Sequence, residues 1–230
     1  MNESPQTRPL AITTGTGGNL GKGVVSALLA AEYNVLGTMR YHKHVPELES
    51  LPGFTRGILD VLDESACREF VVSLKRQVHM TVLMVGGFQM GGIRETTWEQ
   101  LQRMVQMNFQ SCFFLAQSFL EKMKQQVNGG HIVLIGATPA LDPINGRFAW
   151  AYTLSKSLVH NFAAMLDAEG KEHGVRTHLI VPGIIDTPVN RQAMPDADFS
   201  TWTKPEAIGK IIAFLGTKEG QVLRETVLKV

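Results

Sequence analysis

Short apolar runs rich in β-branched residues alternate along the chain with longer stretches in which apolar residues recur every three or four positions. Runs of the first kind predict buried strands, and stretches of the second kind predict amphipathic helices. The predicted strands lie near residues 9–14, 34–38, 54–59, 80–85, 131–136, 175–181 and 221–229. The predicted helices lie near residues 20–32, 63–77, 97–126, 151–173 and 204–216. This alternation favours an α/β fold whose parallel sheet is wound by right-handed crossovers.

No repeat, low-complexity tract or linker interrupts this alternation, so we expect a single domain over residues 1–230. Three irregular segments, 86–95, 137–150 and 182–203, each follow a predicted strand. The carboxyl ends of parallel strands lie at one edge of the sheet, and ligands bind at that edge in open α/β folds. We therefore expect the three segments to converge on a ligand site.

The first strand breaks into a glycine-rich turn before the first helix. Gly15, Gly18 and Gly21 are spaced three residues apart, which permits a tight bend, a close approach of a pyrophosphate and close packing of helix on strand. The N-terminus of the helix would then face the phosphates. A plain glycine-rich loop is the alternative. The position after a strand, at the start of a βαβ unit, favours a dinucleotide site in a doubly wound Rossmann fold.

A phenol and an ammonium lie four residues apart at Tyr152 and Lys156, on one face of a predicted helix. A positive charge beside the hydroxyl would lower the pKa of the tyrosine and make it an effective proton donor. Such pairs also occur on ordinary amphipathic helices, so the pair taken alone is compatible with a structural role.

With the glycine turn and this pair near opposite ends, the chain resembles the short-chain dehydrogenase/reductase family over nearly its whole length. Three further landmarks of that family fall in order at Asp60, Asn108 and residues 181–188. The resemblance implies an oxidoreductase that uses a nicotinamide cofactor. It also implies a cofactor half near residues 9–130 and a catalytic half near residues 131–230.

The resemblance assigns a role to each landmark. Tyr152 would supply a proton after hydride transfer, and Lys156 would lower the pKa of Tyr152 and hold the nicotinamide ribose. Asn108 would fix a water that links Lys156 to solvent, Asp60 would contact adenine, and Thr187 would meet the nicotinamide carboxamide. The implied cofactor contacts are Gly15, Thr16, Gly18, Asn19, Leu20, Gly21, Arg40, Asp60, Val61, Gly86, Gly87, Tyr152, Lys156, Pro182, Gly183, Ile185 and Thr187.

The residues after the second strand bear on the choice of cofactor. This region normally carries an acid that binds the adenosine ribose, but residues 35–44 contain none. Arg40 and Lys43 instead supply positive charge where a 2′-phosphate would lie. A solvated basic loop is the alternative, and the absent acid favours NADP(H), with NAD possible.

The chain departs from the family pattern at two places. Most members carry a serine thirteen residues before the catalytic tyrosine, and Pro139 occupies that position here. The hydroxyl of Thr138 could replace the serine as a catalytic group, although the adjoining proline can turn it away. Residues 85–87 read Val-Gly-Gly where most relatives have Asn-Asn-Ala-Gly, and the glycines still allow a cofactor to approach.

Residues 85–88, 136–142 and 185–202 resemble the dihydropteridine reductases within the family. That resemblance implies reduction of a quinonoid dihydropterin to the tetrahydro form. Two alternatives stay open, a short-chain carbonyl or 3-oxoacyl reductase and a non-catalytic NADP(H)-binding regulator. Aromatic and sulfur-containing side chains could form walls for a flat ring, or could pack as loop covers. These side chains are Phe88, Met90, Phe148, Trp150, Met194 and Trp202.

Composition narrows the class of partner. The chain has 230 residues, 44% of them hydrophobic, and a formal net charge of +1, so it can fill one core but provides no strong field for nucleic acid or a membrane surface. No stretch reaches the length of a membrane span, and we expect a cytoplasmic protein with a small-molecule substrate. Cys67 and Cys112 are expected to be free buried thiols. No metal is expected, because His42 and His44 have no third ligand nearby.

The helices near 97–126 and 151–173 contain more apolar residues than one buried face requires. Relatives commonly pair these two helices across a two-fold axis, so we expect a homodimer or homotetramer. The alternative is that both helices only press on the sheet. The residues concerned are Met104, Met107, Phe109, Phe113, Phe114, Leu158, Phe162 and Met165.

Overall fold

A computed structural model describes residues 8–41, 44–142 and 144–230. Its centre is a seven-stranded sheet in which every neighbouring pair is parallel, in the order β3-β2-β1-β4-β5-β6-β7. The order runs outward in both directions from β1 and β4, as in a doubly wound sheet. This arrangement confirms the predicted α/β Rossmann fold. The strands are β1 Leu10–Thr14, β2 Asn34–Met39, β3 Phe54–Ile58, β4 Met80–Leu83, β5 Gly130–Ile135, β6 Val175–Val181 and β7 Val227–Lys229.

Helices connect the strands and lie on both faces of the sheet. The helices are α1 Asn19–Ala30, α2 Pro46–Glu49, α3 Glu64–Ser73, α4 Trp98–Val105, α5 Ser111–Lys124, α6 Thr138–Leu141, α7 Trp150–Gly170, α8 Pro188–Ala193 and α9 Pro205–Leu215. Residues Gln106–Gln110 form a π-helical turn between α4 and α5, so the long helix predicted over 97–126 contains a local irregularity. Such π turns are frequent at functional sites.

The structure differs from the prediction mainly in the segments after the strands. Three short helices, α2, α6 and α8, form where no helix was expected, and each has a proline in its first turn. A proline there loses no hydrogen bond and already has a helical φ, so short helices start readily at these points. The last strand was predicted from residue 221 but begins at Val227, because Gly220–Val222 form a 3₁₀ turn.

The core lies in two layers, one on each face of the sheet. Helices α1 and α9 pack on one face, with Val24, Leu28 and Ile212 among their fully buried residues. Helices α3, α5 and α7 pack on the other face, where Phe119 and Val159 are buried against the strands. Because both faces are covered, the strands are apolar on both sides, which explains their short continuous apolar runs in the sequence.

Both cysteines are free and buried, as predicted. Burial raises the pKa of each thiol to about 12, so neither is a reactive thiolate at neutral pH.

No group of three metal-binding side chains occurs in the described part of the chain. Of the two histidines considered as ligands, His44 pairs with Glu49, and His42 lies outside the described residues, as does Lys43. Among the described helices, none is both long and apolar enough to cross a membrane.

Candidate active site

The glycine turn joins β1 to α1 in the conformation that its spacing predicts. Gly15 has a φ of +67°, which a side chain would strain. A Cβ on Gly21 would overlap the carbonyl oxygen of Gly15 and the backbone of Thr16, so the helix can approach the turn only with glycine there. The turn thereby leaves bare backbone exposed at the carboxyl edge of the sheet. This is the form that a pyrophosphate site requires.

A cavity of about 710 Å³ opens beside this turn. Gly15, Gly18, Arg40, Asp60 and Val61 line it, as the resemblance implied. Thr16 is fully buried instead, with its hydroxyl 2.8 Å from that of Thr13. The residues Asn19, Leu20 and Gly21 form the start of α1 without lining the cavity. Residues that were not predicted as cofactor contacts also line it, namely Gly17, Thr38, Met39, Tyr41, Leu59, Leu62, Met84, Val85, Arg103, Gln106, Met107 and Ser111.

Arg40 is not an isolated cation. Its Nε lies 2.9 Å from a carboxylate oxygen of Asp60, and both side chains remain partly open to solvent. The interpretation that no acid lies near Arg40 is therefore wrong. The segment 35–44 lacks an acid, but the parallel pairing of β2 with β3 brings Asp60, two residues after β3, close to Arg40, the first residue after β2. A 2′-phosphate at this position would have to share or displace the Asp60 carboxylate.

A second cavity, of about 600 Å³, meets the first at Met84 and Gly86. The two cavities thus adjoin each other at the carboxyl edge of the sheet. All four predicted catalytic residues, two of the predicted substrate-pocket residues and several predicted cofactor contacts line the second cavity. They are Gly87, Phe88, Asn108, Thr138, Tyr152, Lys156, Pro182, Gly183, Ile185 and Met194.

Five residues predicted for this region do not line the second cavity. Phe148 and Met90 are exposed, and Trp150 is the first residue of α7. Trp202 is buried against Phe199, with ring centroids 4.8 Å apart, so it holds the 185–202 segment in place. The fifth residue, Thr187, is turned inward as the N-cap of α8, where it accepts a hydrogen bond from the backbone of residue 190.

Tyr152 lines the second cavity. Within the part of the chain that the structure describes, its hydroxyl has no hydrogen-bond partner. The ring packs edge-on against Phe88, with centroids 4.9 Å apart. Burial raises the pKa of Tyr152 to about 12. In this state the hydroxyl is a neutral donor that is free to bond a substrate.

Lys156 is almost fully buried, and its Nζ donates to the carbonyl of Ile135 at 2.8 Å. Burial lowers the pKa of Lys156 to about 8. In the protein by itself burial raises the pKa of Tyr152, and the lowering by Lys156 stays a prediction for the complex with cofactor. The loss of hydration raises the tyrosine pKa, while the ammonium is directed toward the end of β5.

Asn108 lies in the π-helical turn and ties three segments together. Its Oδ1 accepts from the Gly87 amide at 2.9 Å, and its Nδ2 donates to the Ser155 hydroxyl at 2.9 Å. Ser155 in turn donates to the carbonyl of Tyr152 at 2.7 Å. This relay holds the loop after β4 against the first turns of α7. Sequence reasoning missed Ser155, although its place between Tyr152 and Lys156 could have indicated it.

Thr138 lines the cavity, but its hydroxyl proton already makes a hydrogen bond within the protein. The hydroxyl donates to the carbonyl of Pro182 at 3.0 Å, because Thr138 begins α6 and turns toward the segment after β6. Thr138 can accept a hydrogen bond in this arrangement, but it donates none to a substrate. The structure thus bears out the concern that the Thr-Pro step turns the hydroxyl away.

Two amides complete the cavity wall. Asn190 donates through Nδ2 to the carbonyl of Ile185 at 2.8 Å, and Asn145 donates to the carboxylate of Asp142. Among the described residues, neither amide oxygen accepts a hydrogen bond. Sequence reasoning named neither residue, since an asparagine in a loop gives no signal of its direction.

Comparison with known proteins agrees with this geometry. Residues 9–198 match the family described as short chain dehydrogenase, which is most of the chain. The chain belongs to the short chain dehydrogenase family. It is accordingly an oxidoreductase that depends on a nicotinamide cofactor, as the sequence predicted.

Individual relatives are distant. An L-rhamnose 1-dehydrogenase (NAD(P)(+)) of Sphingomonas sp. (strain SKA58) is 25% identical over 80% of this chain and 76% of its own. A dihydropteridine reductase of Dictyostelium discoideum is 32% identical over 59% of this chain and 58% of its own. The solved structure of ElxO with NADP bound superimposes with a TM-score of 0.88 at 22% identity, covering 97% of each chain. The likeness to dihydropteridine reductases therefore holds for part of the chain only.

Proposed function

We propose that this short chain dehydrogenase uses NADPH to reduce a quinonoid dihydropterin to the tetrahydropterin. The observation that carries the proposal is the free hydroxyl of Tyr152 in a cavity whose other walls are largely apolar. Thr138 donates to the carbonyl of Pro182 and Asn108 donates to the hydroxyl of Ser155, whereas the Tyr152 hydroxyl has no hydrogen-bond partner among the described residues. The two proposed catalytic residues that can donate a proton at neutral pH are thus Tyr152 and the buried ammonium of Lys156.

The chemistry of the two adjoining cavities suits a dinucleotide. Gly15 and Gly18 offer backbone to a pyrophosphate at the start of α1, and Arg40 offers a cation for a 2′-phosphate. Gly86 stands at the junction of the two cavities, where a Cβ would press on Asn108. The bound cofactor supplies a hydride. NADP(H) is the preferred form in this proposal, and NAD(H) is the weaker alternative. NAD(H) can bind as well because the Asp60 carboxylate can accept hydrogen bonds from ribose hydroxyls.

The side chains of the protein then supply the proton and hold the segments around the cavity in place. Tyr152 donates its hydroxyl proton to the reduced ring nitrogen, and Lys156 stabilises the phenolate that remains by its positive charge. To do so the ammonium must turn from the Ile135 carbonyl toward the cavity. Asn108 keeps the Gly87 loop against α7 during this change. The substrate gains one hydride and one proton in total.

The lining favours a flat ring with few hydroxyls over a sugar. Phe88, Pro139, Ile184 and Met194 give the cavity apolar surfaces, and Lys156 is the only charged side chain among its described lining residues. A polyhydroxylated sugar would need more hydrogen-bond partners than these apolar surfaces provide. A quinonoid substrate also needs less polarisation than a ketone. This requirement agrees with a Thr138 hydroxyl that is bonded to Pro182.

The free amide oxygens of Asn145 and Asn190 add a further preference. Both side chains line the cavity, and neither amide oxygen accepts a hydrogen bond among the described residues. A pterin ring carries an exocyclic amino group and ring N–H groups that can donate to such acceptors. A simple ketone or an acyl chain carries none.

The test is a substrate panel followed at the nicotinamide absorbance. The panel contains a quinonoid dihydropterin generated in the cuvette, L-rhamnose in the oxidative direction, and a 3-oxoacyl ester. We expect turnover of the dihydropterin that falls about 10²–10⁴-fold in Tyr152→Phe. Turnover of the sugar or the ester alone would show a carbonyl reductase or dehydrogenase. NADPH binding without turnover of any compound would show a regulator.

We also propose that the chain assembles with copies of itself through α5 and α7. The rings of Phe109, Phe113 and Phe162 pack against one another, with centroids 5.2–5.5 Å apart. Much of their apolar surface is therefore covered within one subunit. Met104, also counted among the surplus apolar residues, is buried in its own subunit. The apolar residues left exposed on α7 include Leu154, Leu158 and Met165.

A further inference from the structure

Helix α7 is hydrogen-bonded to the backbone at the end of strand β5 at two successive points. The ammonium of Lys156 donates to the carbonyl of Ile135 at 2.8 Å. One helical turn further on, Nε2 of His160 accepts from the Ala137 amide at 3.1 Å. The two bonds hold the groups on either side of Gly136. We call this pair of bonds the β5 clamp.

The backbone is shaped to receive the imidazole. A Cβ on Gly136 would overlap Nε2 of His160 and also press on Leu179. The ring therefore packs directly on bare backbone at the point where β5 ends. Residues with any side chain at position 136 would push the ring away and break the bond to Ala137. Gly136 and His160 thus form a matched pair.

The direction of this hydrogen bond determines the protonation state of His160. An Nε2 atom that accepts from an amide carries no proton, so the imidazole must be neutral. Burial, aided by the positive charge of Lys156, lowers the pKa of His160 to about 4. The ring is therefore a neutral acceptor throughout the neutral range.

The clamp lies under the wall of the substrate cavity. Ala137, whose amide donates to His160, and the next residue, Thr138, line the same cavity as Tyr152. In the proposed mechanism the ammonium of Lys156 leaves the Ile135 carbonyl and turns toward cofactor and phenolate. The bond from Ala137 to His160 is then the remaining half of the clamp.

We infer that His160 is a positioning residue, which holds the Ala137–Thr138 wall at its working distance from Tyr152 while Lys156 is engaged in catalysis. This inference rests on the proposed role of Lys156 in the reaction. A displacement of about 1 Å at such a wall is enough to cost about 10²-fold in rate. His160 touches neither substrate nor cofactor and acts only through this backbone segment.

Three variants test the role. His160→Leu fills similar space but removes the acceptor, His160→Gln restores a neutral acceptor at similar reach, and Asn161→Ala removes an exposed hydrogen bond to Ser157 one residue away. We expect His160→Leu to lower kcat about 10–100-fold, with the Kd for NADPH changed less than about threefold. His160→Gln should recover most of kcat, and Asn161→Ala should match the unmodified protein.

A second readout does not depend on the substrate. Amide hydrogen exchange is measured on the NADPH complex for the peptide that contains Gly136–Thr138. This peptide should stay protected in the unmodified protein and in His160→Gln, and should exchange faster in His160→Leu. Failure of the substrate panel would count against the proposed reaction and leave this readout intact. Unchanged exchange in His160→Leu, or equal loss of kcat in the Gln and Leu variants, would overturn the positioning role.

Discussion

Arg40→Ala is the change that most directly tests how the cleft selects its cofactor. The Arg40 guanidinium lies at the edge of the first cavity, 2.9 Å from Asp60, where a 2′-phosphate would approach. Removing it should weaken NADPH binding and leave NADH binding nearly unchanged. The preference for NADPH, expressed as the ratio of the two Kd values, should therefore fall.

The size of the effect follows from two opposing contributions. A charge-assisted hydrogen bond to a phosphate contributes about 1.5–3 kcal/mol. Sharing or breaking the exposed ion pair with Asp60 costs about 0.2–1 kcal/mol. The net loss is about 1.5 kcal/mol, which corresponds to about tenfold in the ratio of Kd values. Asp60→Asn should act in the opposite direction by a few-fold, because it removes the carboxylate that competes with the phosphate.

The assay is a fluorescence titration of each variant with NADPH and with NADH at one fixed, moderate ionic strength. Arg68→Ala is the matched control, since Arg68 is exposed, pairs with Glu64 on α3 and lies outside the cavity. It removes the same charge and should leave the ratio of Kd values unchanged. If Arg40→Ala and Arg68→Ala change the ratio of the two Kd values equally, Arg40 does not bind the 2′-phosphate.

Further predictions concern catalysis, acid stability and assembly. Tyr152→Phe should leave the NADPH Kd within about twofold while turnover falls, because the lost hydroxyl has no partner among the described residues; a parallel loss of NADPH affinity would contradict this. Burial lowers the pKa of His178 to about 3 and that of His131 to about 4, so the unfolded chain takes up protons that the fold excludes. Stability present above about pH 6.5 should therefore be lost as the pH falls toward 4. A constant Tm between pH 7 and 4 would oppose this account. Sedimentation should show a dimer or tetramer that Met165→Lys dissociates, and a monomer of the unmodified chain at micromolar concentration would refute the assembly.

The fold was predictable because its signals are local. Apolar runs and helical periodicity are properties of neighbouring residues, and they located all seven strands and the five long helical regions. The glycine turn was predictable for the same reason, since the three-residue spacing of Gly15, Gly18 and Gly21 defines a turn within a single loop. The short helices α2, α6 and α8 were missed, because a segment of four to six residues has too few positions to show a period.

The membership of the site was also largely contained in the sequence. Tyr152 and Lys156 were named from their spacing and Asn108 from the resemblance to the family, and all three line one cavity in the structure. Parallel strands bring the segments that follow them to a common edge whatever their separation in sequence. The sequence therefore determined which groups meet there.

Only the tertiary structure decided how those groups are engaged. The partner of Arg40 is Asp60, that of Thr138 is the carbonyl of Pro182, and that of His160 is the amide of Ala137. Each of these contacts joins segments from different strands or helices, so it depends on strand register and helix packing. The raised pKa of Tyr152 is likewise a consequence of burial, because the cost of ionising a phenol depends on the water around it. Hydration and partner geometry are properties of the packed molecule, and no local pattern of residues encodes them.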